Sequence, residues 1–146
     1  MPTLRGRFAS LNLKNKISNL KSDSVNNFKD EFNNRIYKYA LDIIKFVDKL
    51  SKDTTAQTLG KQLVRSGTSV SANIIEAKAA SSKKDYINFY LHALKSANES
   101  KLWLNLIKDS GKSPETEAEK LFDETEEIAK ILGASVVTMN KNSKGS

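Results

Sequence analysis

Apolar residues recur along this chain at helical spacing in four stretches. Between about Asn27 and Leu50, the residues Phe28, Phe32, Ile36, Tyr39, Ile43, Phe46, Val47 and Leu50 step by 4, 4, 3, 4, 3, 1 and 3. Those steps trace one face of a 3.6-residue period. Ser51 to Thr55 break the pattern with polar residues, and Asp53 or Thr54 is suited to cap a following helix. The second stretch, about Thr55 to Ala80, is ambiguous by propensity. Gly60, Gly67, Thr68 and Val70 weaken a helix, and Val70 to Ile75 alone passes for a strand. The period resolves it, because Leu59, Leu63, Ser66, Val70, Ile74 and Ala77 fall within about 80° on a helical wheel. In the third stretch, Ser82 and Asp85 form a capping-box-like start, and Tyr86, Phe89, Tyr90, Ala93, Ala97, Ser100, Trp103, Leu104 and Ile107 line one face up to Asp109. Ser110-Gly111 end it. Ser113-Pro114 then open a fourth helix to about Met139, with Leu121, Phe122, Thr125, Ile128, Ala129, Leu132, Val136 and Met139 inward.

Four helices of roughly 24–27 residues, each ~36–40 Å long, joined by short loops predict an all-α, antiparallel up-down-up-down four-helix bundle. The bundle spans residues 28–140. Residues 1–27 have no sustained period and read as a basic, flexible N-terminal arm, with room for a short helix near Leu11 to Leu20. Residues 141–146 read as a frayed basic tail.

Charge changes this picture more than composition does. The 146 residues are 38% hydrophobic and 28% charged, as in an ordinary globular domain, with no apolar run near the ~18–20 residues of a membrane span and no signal-peptide core. The chain has no cysteine, which is compatible with a reducing, cytoplasmic setting. Its net charge is +7, a balance that favours polyanionic partners where the excess shares a surface. Most of it sits at the ends. Residues 1–27 carry five bases against one acid, whereas residues 28–140 carry 17 bases and 16 acids. Within the bundle the charge is segregated. Lys61, Arg65, Lys78, Lys83 and Lys84 stand against Glu76 alone between Gly60 and Lys84, and seven acids stand against Lys120 between Glu115 and Glu127.

Catalytic patterns are missing. One histidine, His92, cannot make a two-His zinc motif, and no cysteine can help it. Gly60-Lys61 lies inside a helix and lacks the upstream glycine and the hydroxyl residue of a phosphate loop. Ser66, Ser69 and Ser71 have no base relay in the sequence, Glu-x-x-His occurs nowhere, and seven acids spread over thirteen residues read as a solvated face. The sequence therefore predicts a non-enzymatic protein with no metal and no cofactor.

One constellation stands out. Gln62, Arg65, Ser69, Asn73 and Glu76 line the edge of the second helix's apolar face, and Glu99 lies at the corresponding edge of the third. Three readings are open: a polar network of Arg65, Asn73, Glu76 and Glu99 that fixes the pairing of the two helices, an anion site at Arg65, or a subunit contact. Leu91 and Leu102 form a second strip on the third helix that the bundle core does not need, and are interface candidates, with cover by the arm as the alternative.

Three segments carry a resemblance. They are Arg35-Ile36-Tyr37-Lys38-Tyr39-Ala40, then Gly60-Lys61-Gln62-Leu63-Val64-Arg65-Ser66-Gly67-Thr68-Ser69-Val70-Ser71-Ala72-Asn73-Ile74-Ile75-Glu76-Ala77, and Ser82-Lys83-Lys84-Asp85-Tyr86 leading to Ala97-Asn98-Glu99-Ser100-Lys101-Leu102-Trp103-Leu104. Over about residues 28–135 the chain resembles the four-helix-bundle proteins encoded in intervening sequences of bacterial 23S rRNA genes. That family is similar in fold to the accessory variability proteins of diversity-generating retroelements, which form homopentamers and bind nucleic acid and a reverse transcriptase. The resemblance implies a ring-like homopentamer, a bacterial cytoplasmic or phage setting, and RNA-related work.

The leading expectation is an oligomeric, RNA-leaning nucleic-acid-binding protein. Arg5, Arg7, Lys14, Lys16 and Lys21 of the arm, with Lys61, Arg65, Lys78, Lys83 and Lys84, would contact RNA or DNA phosphates. The alternative is an oligomeric scaffold that recruits a protein partner, such as a reverse transcriptase, with the acidic fourth helix of one subunit against the basic second helix of the next.

Overall fold

The computed structural model describes the backbone of residues 4–144 and the side chains of residues 9–142. Among the described residues there are four α-helices and no strand: α1 (Leu4–Asp48), α2 (Thr54–Ala77), α3 (Lys83–Asp109) and α4 (Glu115–Lys144). The chain forms two compact units, Met1–Asn34 and Arg35–Ser146.

The second unit is the four-helix bundle that the apolar periods predict. Local chemistry sets each helix start. Asp53 caps α2 by accepting from the Ala56 N–H at 2.9 Å, and Ser82 caps α3 by accepting from the Asp85 N–H at 3.0 Å. The reciprocal half of the capping box is displaced by one residue, because Asp85 Oδ2 accepts from the Ser81 N–H at 3.1 Å rather than from Ser82. Gly111 ends α3 at a φ of 71°, the left-handed conformation that glycine adopts without a Cβ clash. α2 stops at Ala77, three residues before the expected Ala80, and α4 runs on to Lys144 through most of the expected tail. Residues 145–146 of that tail lie outside the described residues.

Contacts between helices give the order around the bundle. Ser71 on α2 donates to the Ile36 carbonyl of α1 at 2.9 Å, while Gly60 near the other end of α2 lies against Val47 and Leu50. The α2–α3 seam joins Ser66 to Ser100 at 2.8 Å and Ser69 to Ser96 at 2.9 Å. Arg35 and Tyr39 of α1 reach Glu124 and Thr125 of α4. Lys108 of α3 lies 3.9 Å from Glu119 of α4. Each sequential neighbour is antiparallel, and α1 is diagonal to α3. At one end, Ser51 donates to the Lys112 carbonyl and Lys112 reaches Asp53 at 3.3 Å, tying the first loop to the third.

The core follows the predicted faces: Ile36, Tyr39, Ile43, Phe46 and Leu50 from α1, Leu63, Val70, Ile74 and Ala77 from α2, Tyr90, Ala93, Ala97, Leu104 and Ile107 from α3, and Leu121, Ile128, Ala129, Leu132 and Val136 from α4. A fully buried polar residue from each helix interrupts this apolar filling, Tyr39, Ser66, Ser100 and Thr125, none more than 1% exposed, beside Ser71 at 7%. Tyr39 Oη and Thr125 Oγ1 are 2.7 Å apart, Thr125 donates to the Leu121 carbonyl, and Ser100 donates to the Ser96 carbonyl. Among the described residues no buried side-chain polar atom lacks a partner, so this layer does not carry the penalty of an unmet hydrogen bond.

In the first unit, the room for a short helix near Leu11 to Leu20 is filled by a longer one: the described arm residues are helical from Leu4 onward, within α1. Every side chain from Ala9 to Glu31 is exposed, including Phe28 at 62%, which the apolar period had placed inward. A helix that buries nothing needs no single apolar face, which is why its sequence shows no sustained core period.

Candidate nucleic-acid interface

The five bases assigned to the bundle divide into two groups. Lys61 and Arg65 lie in the first half of α2, whereas Lys78, Lys83 and Lys84 surround the α2–α3 turn. Lys61 and Lys78 are seventeen residues apart, about 25 Å along the helix. All five are exposed. Of the arm bases, Lys14, Lys16 and Lys21 are exposed on α1, and the side chains of Arg5 and Arg7 lie outside the described residues.

Arg65 is held by its own fold. Its Nε and Nη2 donate to Gln62 Oε1 at 3.1 and 2.9 Å, and Nη2 also bonds Glu99 Oε1 across the α2–α3 seam. The same carboxylate oxygen accepts from Trp103 Nε1 at 3.3 Å. Arg65 is thus committed to a Gln62–Glu99–Trp103 cluster. Glu76 is not part of it. It sits eleven residues from Arg65, about 16 Å along α2, beyond the reach of the guanidinium. Asn73 belongs to a separate cluster, donating to Ser69 O at 2.8 Å and Ser69 Oγ at 3.1 Å. Trp103, expected only as a core residue, and Ser96, for which the sequence suggests no role, both belong to these clusters. Their signal is the run Ser96, Glu99, Trp103, spaced three and four along the seam-facing edge of α3.

The α2–α3 turn is different. Lys78, Lys83 and Lys84 make no ion pair among the described residues. Lys83 and Lys84 occupy the first turn of α3, where the helix dipole disfavours cations. Their charge therefore opposes the local fold. Asp85 in the same turn is occupied by Ser81.

Four of the seven acids at the start of α4, Glu119, Glu124, Glu126 and Glu127, have ion-pair partners inside the chain. A groove of about 470 Å³ between α1 and α4 is lined by Lys38, Lys45 and Lys49 of α1 and by Glu117, Glu124 and Glu127 of α4, and Lys38 is taken by Asp42 on its own helix. Arg35 Nε donates to Glu124 at 2.6 Å, and Lys130 lies 3.5 Å from Glu126. Among the described residues no group of three or more His, Cys, Asp or Glu is placed to hold a metal ion, and no helix is long and apolar enough to cross a membrane.

Two apolar stripes face outward. Leu91 (38% exposed) and Leu102 (52%) are joined by Leu106 (42%) on α3. Tyr37, Leu41 and Ile44 form a second stripe on α1, 63%, 38% and 40% exposed. Each points roughly opposite to its helix's core face, by about 150–170° at ~100° per residue. The α1 stripe was legible as a 4, 3 spacing, but the stronger core period on the same helix masked it.

A family model described as 23S rRNA-intervening sequence protein matches residues 12–134. It begins inside the stretch read from sequence as an arm. Among solved structures, the chain is similar to a protein of unknown function from the S23 ribosomal protein family of Bacteroides thetaiotaomicron VPI-5482. The identity is 33%, with 71% of this chain and 96% of that chain covered, and the TM-score is 0.67. Among curated proteins, none matches.

Proposed function

The chain belongs to the 23S rRNA-intervening sequence protein family, and from that premise we propose that it is a non-catalytic, self-associating RNA-binding protein of the bacterial cytoplasm. The observation that carries this reading is the α2–α3 turn. Lys78, Lys83 and Lys84 are exposed, lack an ion-pair partner among the described residues, and two of them stand where the α3 dipole opposes them. Cations kept at a site that the fold disfavours are explained by an external anion, and RNA phosphates fit both the charge and the family's description. Lys61 adds to the same kind of contact, whereas Arg65 is withdrawn from it by Glu99 and Gln62.

Self-association is supported by the outward stripes on α1 and α3. Two different apolar surfaces on diagonal helices suit a head-to-tail contact, which closes into a ring when the rotation permits. A homopentamer is the ring we propose, and several subunits would multiply a weak phosphate contact. The same stripes favour one second reading, a scaffold that recruits a protein such as a reverse transcriptase.

The test is a titration of the purified chain against a structured RNA at two salt concentrations. Binding that weakens steeply with salt, and a Lys78→Gln/Lys83→Gln/Lys84→Gln variant with a shallower slope, are the expected results. Absence of binding at low salt would sink the RNA reading and leave the scaffold.

A further inference from the structure

The polar residues in the first half of α1 fall into one line. Asn12, Asn15, Asn19, Ser22 and Asn26 are spaced 3, 4, 3 and 4 residues apart within the helix, and all are exposed. At ~100° per residue they stay within about 80° of one another, a straight stripe ~21 Å long. Asp23 and Lys16 border it on one side, and Lys14 and Lys21 lie about 80–100° beyond its other edge. Leu13, Ile17 and Leu20 occupy the opposite face.

Such a stripe does not serve the helix. Asn and Ser are poorer helix formers than the Lys, Glu or Ala that usually cover a solvated face, and their side chains compete for backbone hydrogen bonds. An amide does offer a donor and an acceptor side by side without charge. That is the complement of a base edge, as in the paired contacts of Asn with adenine. The charge of the segment as a whole agrees: between Ala9 and Phe28 there are three lysines and a single acid, Asp23, a positive balance that suits a polyanion. A helix lying on a membrane surface would instead carry its charges on the polar face and a broader apolar face.

We propose that the first half of α1 is a base-reading helix, in which Asn12, Asn15, Asn19 and Asn26 hydrogen-bond base edges while Lys14, Lys16 and Lys21 hold the adjoining phosphates. This rests on the RNA-binding reading above and adds sequence preference to it. The target is an internal loop or bulge in RNA, because the deep groove of a fully paired RNA helix is closed to side chains and unpaired bases expose their edges.

The experiment uses the full chain and a pool of RNA hairpins randomised within an internal loop, with a fully paired hairpin of equal length as reference. The wild type is expected to enrich a subset of loops and to bind them at least about tenfold more tightly than the paired hairpin. An Asn15→Ala/Asn19→Ala variant keeps its helix by circular dichroism, since alanine is the better helix former. It should lose the preference while binding the paired hairpin as before. A Lys14→Gln/Lys16→Gln/Lys21→Gln variant should weaken both hairpins alike and reduce the logarithmic salt slope by about two. If the wild type binds hairpins without enrichment, or the asparagine variant keeps the preference, the base-reading helix is wrong while RNA binding stands. If the wild type binds no hairpin at low salt, both fall together. Flotation with phosphatidylglycerol vesicles in place of hairpin enrichment would assign this face to a membrane and overturn the proposal.

Discussion

Tyr39 is the residue on which the bundle's interior turns. Thr125 commits its only hydroxyl hydrogen to the Leu121 carbonyl at 2.7 Å, so at the Tyr39–Thr125 contact the phenol is the donor. Replacing Thr125 by Val leaves that buried phenol without this acceptor and is expected to cost about 1–3 kcal/mol in urea unfolding. Tyr39→Phe/Thr125→Val removes both partners and should be less destabilised than Thr125→Val alone, which a double-mutant cycle measures. Burial pushes the Tyr39 phenol up to about 12, with hydrogen bonds to Thr125 and Ser100 opposing the shift. The unfolded phenol ionises near 10, so above that pH the unfolded state holds fewer protons than the native one and stability falls as pH rises towards 12. Tyr90, raised by burial and by its Tyr86 neighbour, adds to the same alkaline loss. The urea midpoint should therefore be level between pH 8 and 9 and decline above about 10. A midpoint that stays level to pH 12 would contradict this burial effect. None of this layer was singled out as a unit from the sequence. Each member was legible as an inward position at helical spacing, but that four single residues share one layer depends on the vertical offsets between helices.

At the scale of helices, close approach decides which substitutions α2 tolerates. A Cβ on Gly67 would lie 3.1 Å from Ile43 Cγ2, and one on Gly60 would lie 2.9 Å from Val47 Cγ1. The two glycines let α2 lie tight against α1. Gly67→Leu is expected to lower stability by about 1–3 kcal/mol through overpacking. Gly133 in α4 has no neighbour within 4 Å of its would-be Cβ, and Gly133→Ala should raise stability by about 0.4–1 kcal/mol. Urea midpoints at unchanged m-value would check both, and similar effects at the two sites would refute the close-approach argument. In the sequence, Gly60 and Gly67 only weaken the case for a helix. Their purpose is set by α1, a partner more than ten residues away in the chain. The helix ends divide the same way. Asp53, Ser82 and Gly111 announce themselves because caps are local chemistry. Within residues 4–27 only a short helix near Leu11 to Leu20 was legible, because periodicity detects a buried face and this stretch buries none among its described side chains.

For the whole molecule, the outward stripes make a prediction that separates a head-to-tail ring from a two-fold dimer. Leu41→Glu and Leu102→Glu should each reduce the mass seen by light scattering. A mixture of the two variants retains one intact pair, the α1 stripe of one copy against the α3 stripe of the other, and should form a one-to-one complex that grows no further. Unchanged mass in both single variants would remove these stripes from the assembly. The +7 net charge gains a location at this scale. Arg35 of α1 meets Glu124 of α4 and Arg65 meets Glu99, while Lys78, Lys83 and Lys84 at the α2–α3 turn and Lys14, Lys16 and Lys21 in the first half of α1 make no ion pair among the described residues. Segment counts separated ends from body but could not tell a matched cation from a free one.

By itself the sequence determined four helices, their inward faces, most of their caps and the family, because each is written in spacings of a few residues along one strand of chain. The tertiary structure alone decided which charges are neutralised, which edge of the Arg65 stripe meets Glu99 and excludes Glu76, and which apolar residues remain outside. Those outcomes depend on the register between helices, and register is settled by the packing of all four faces at once. No single stretch of sequence contains it.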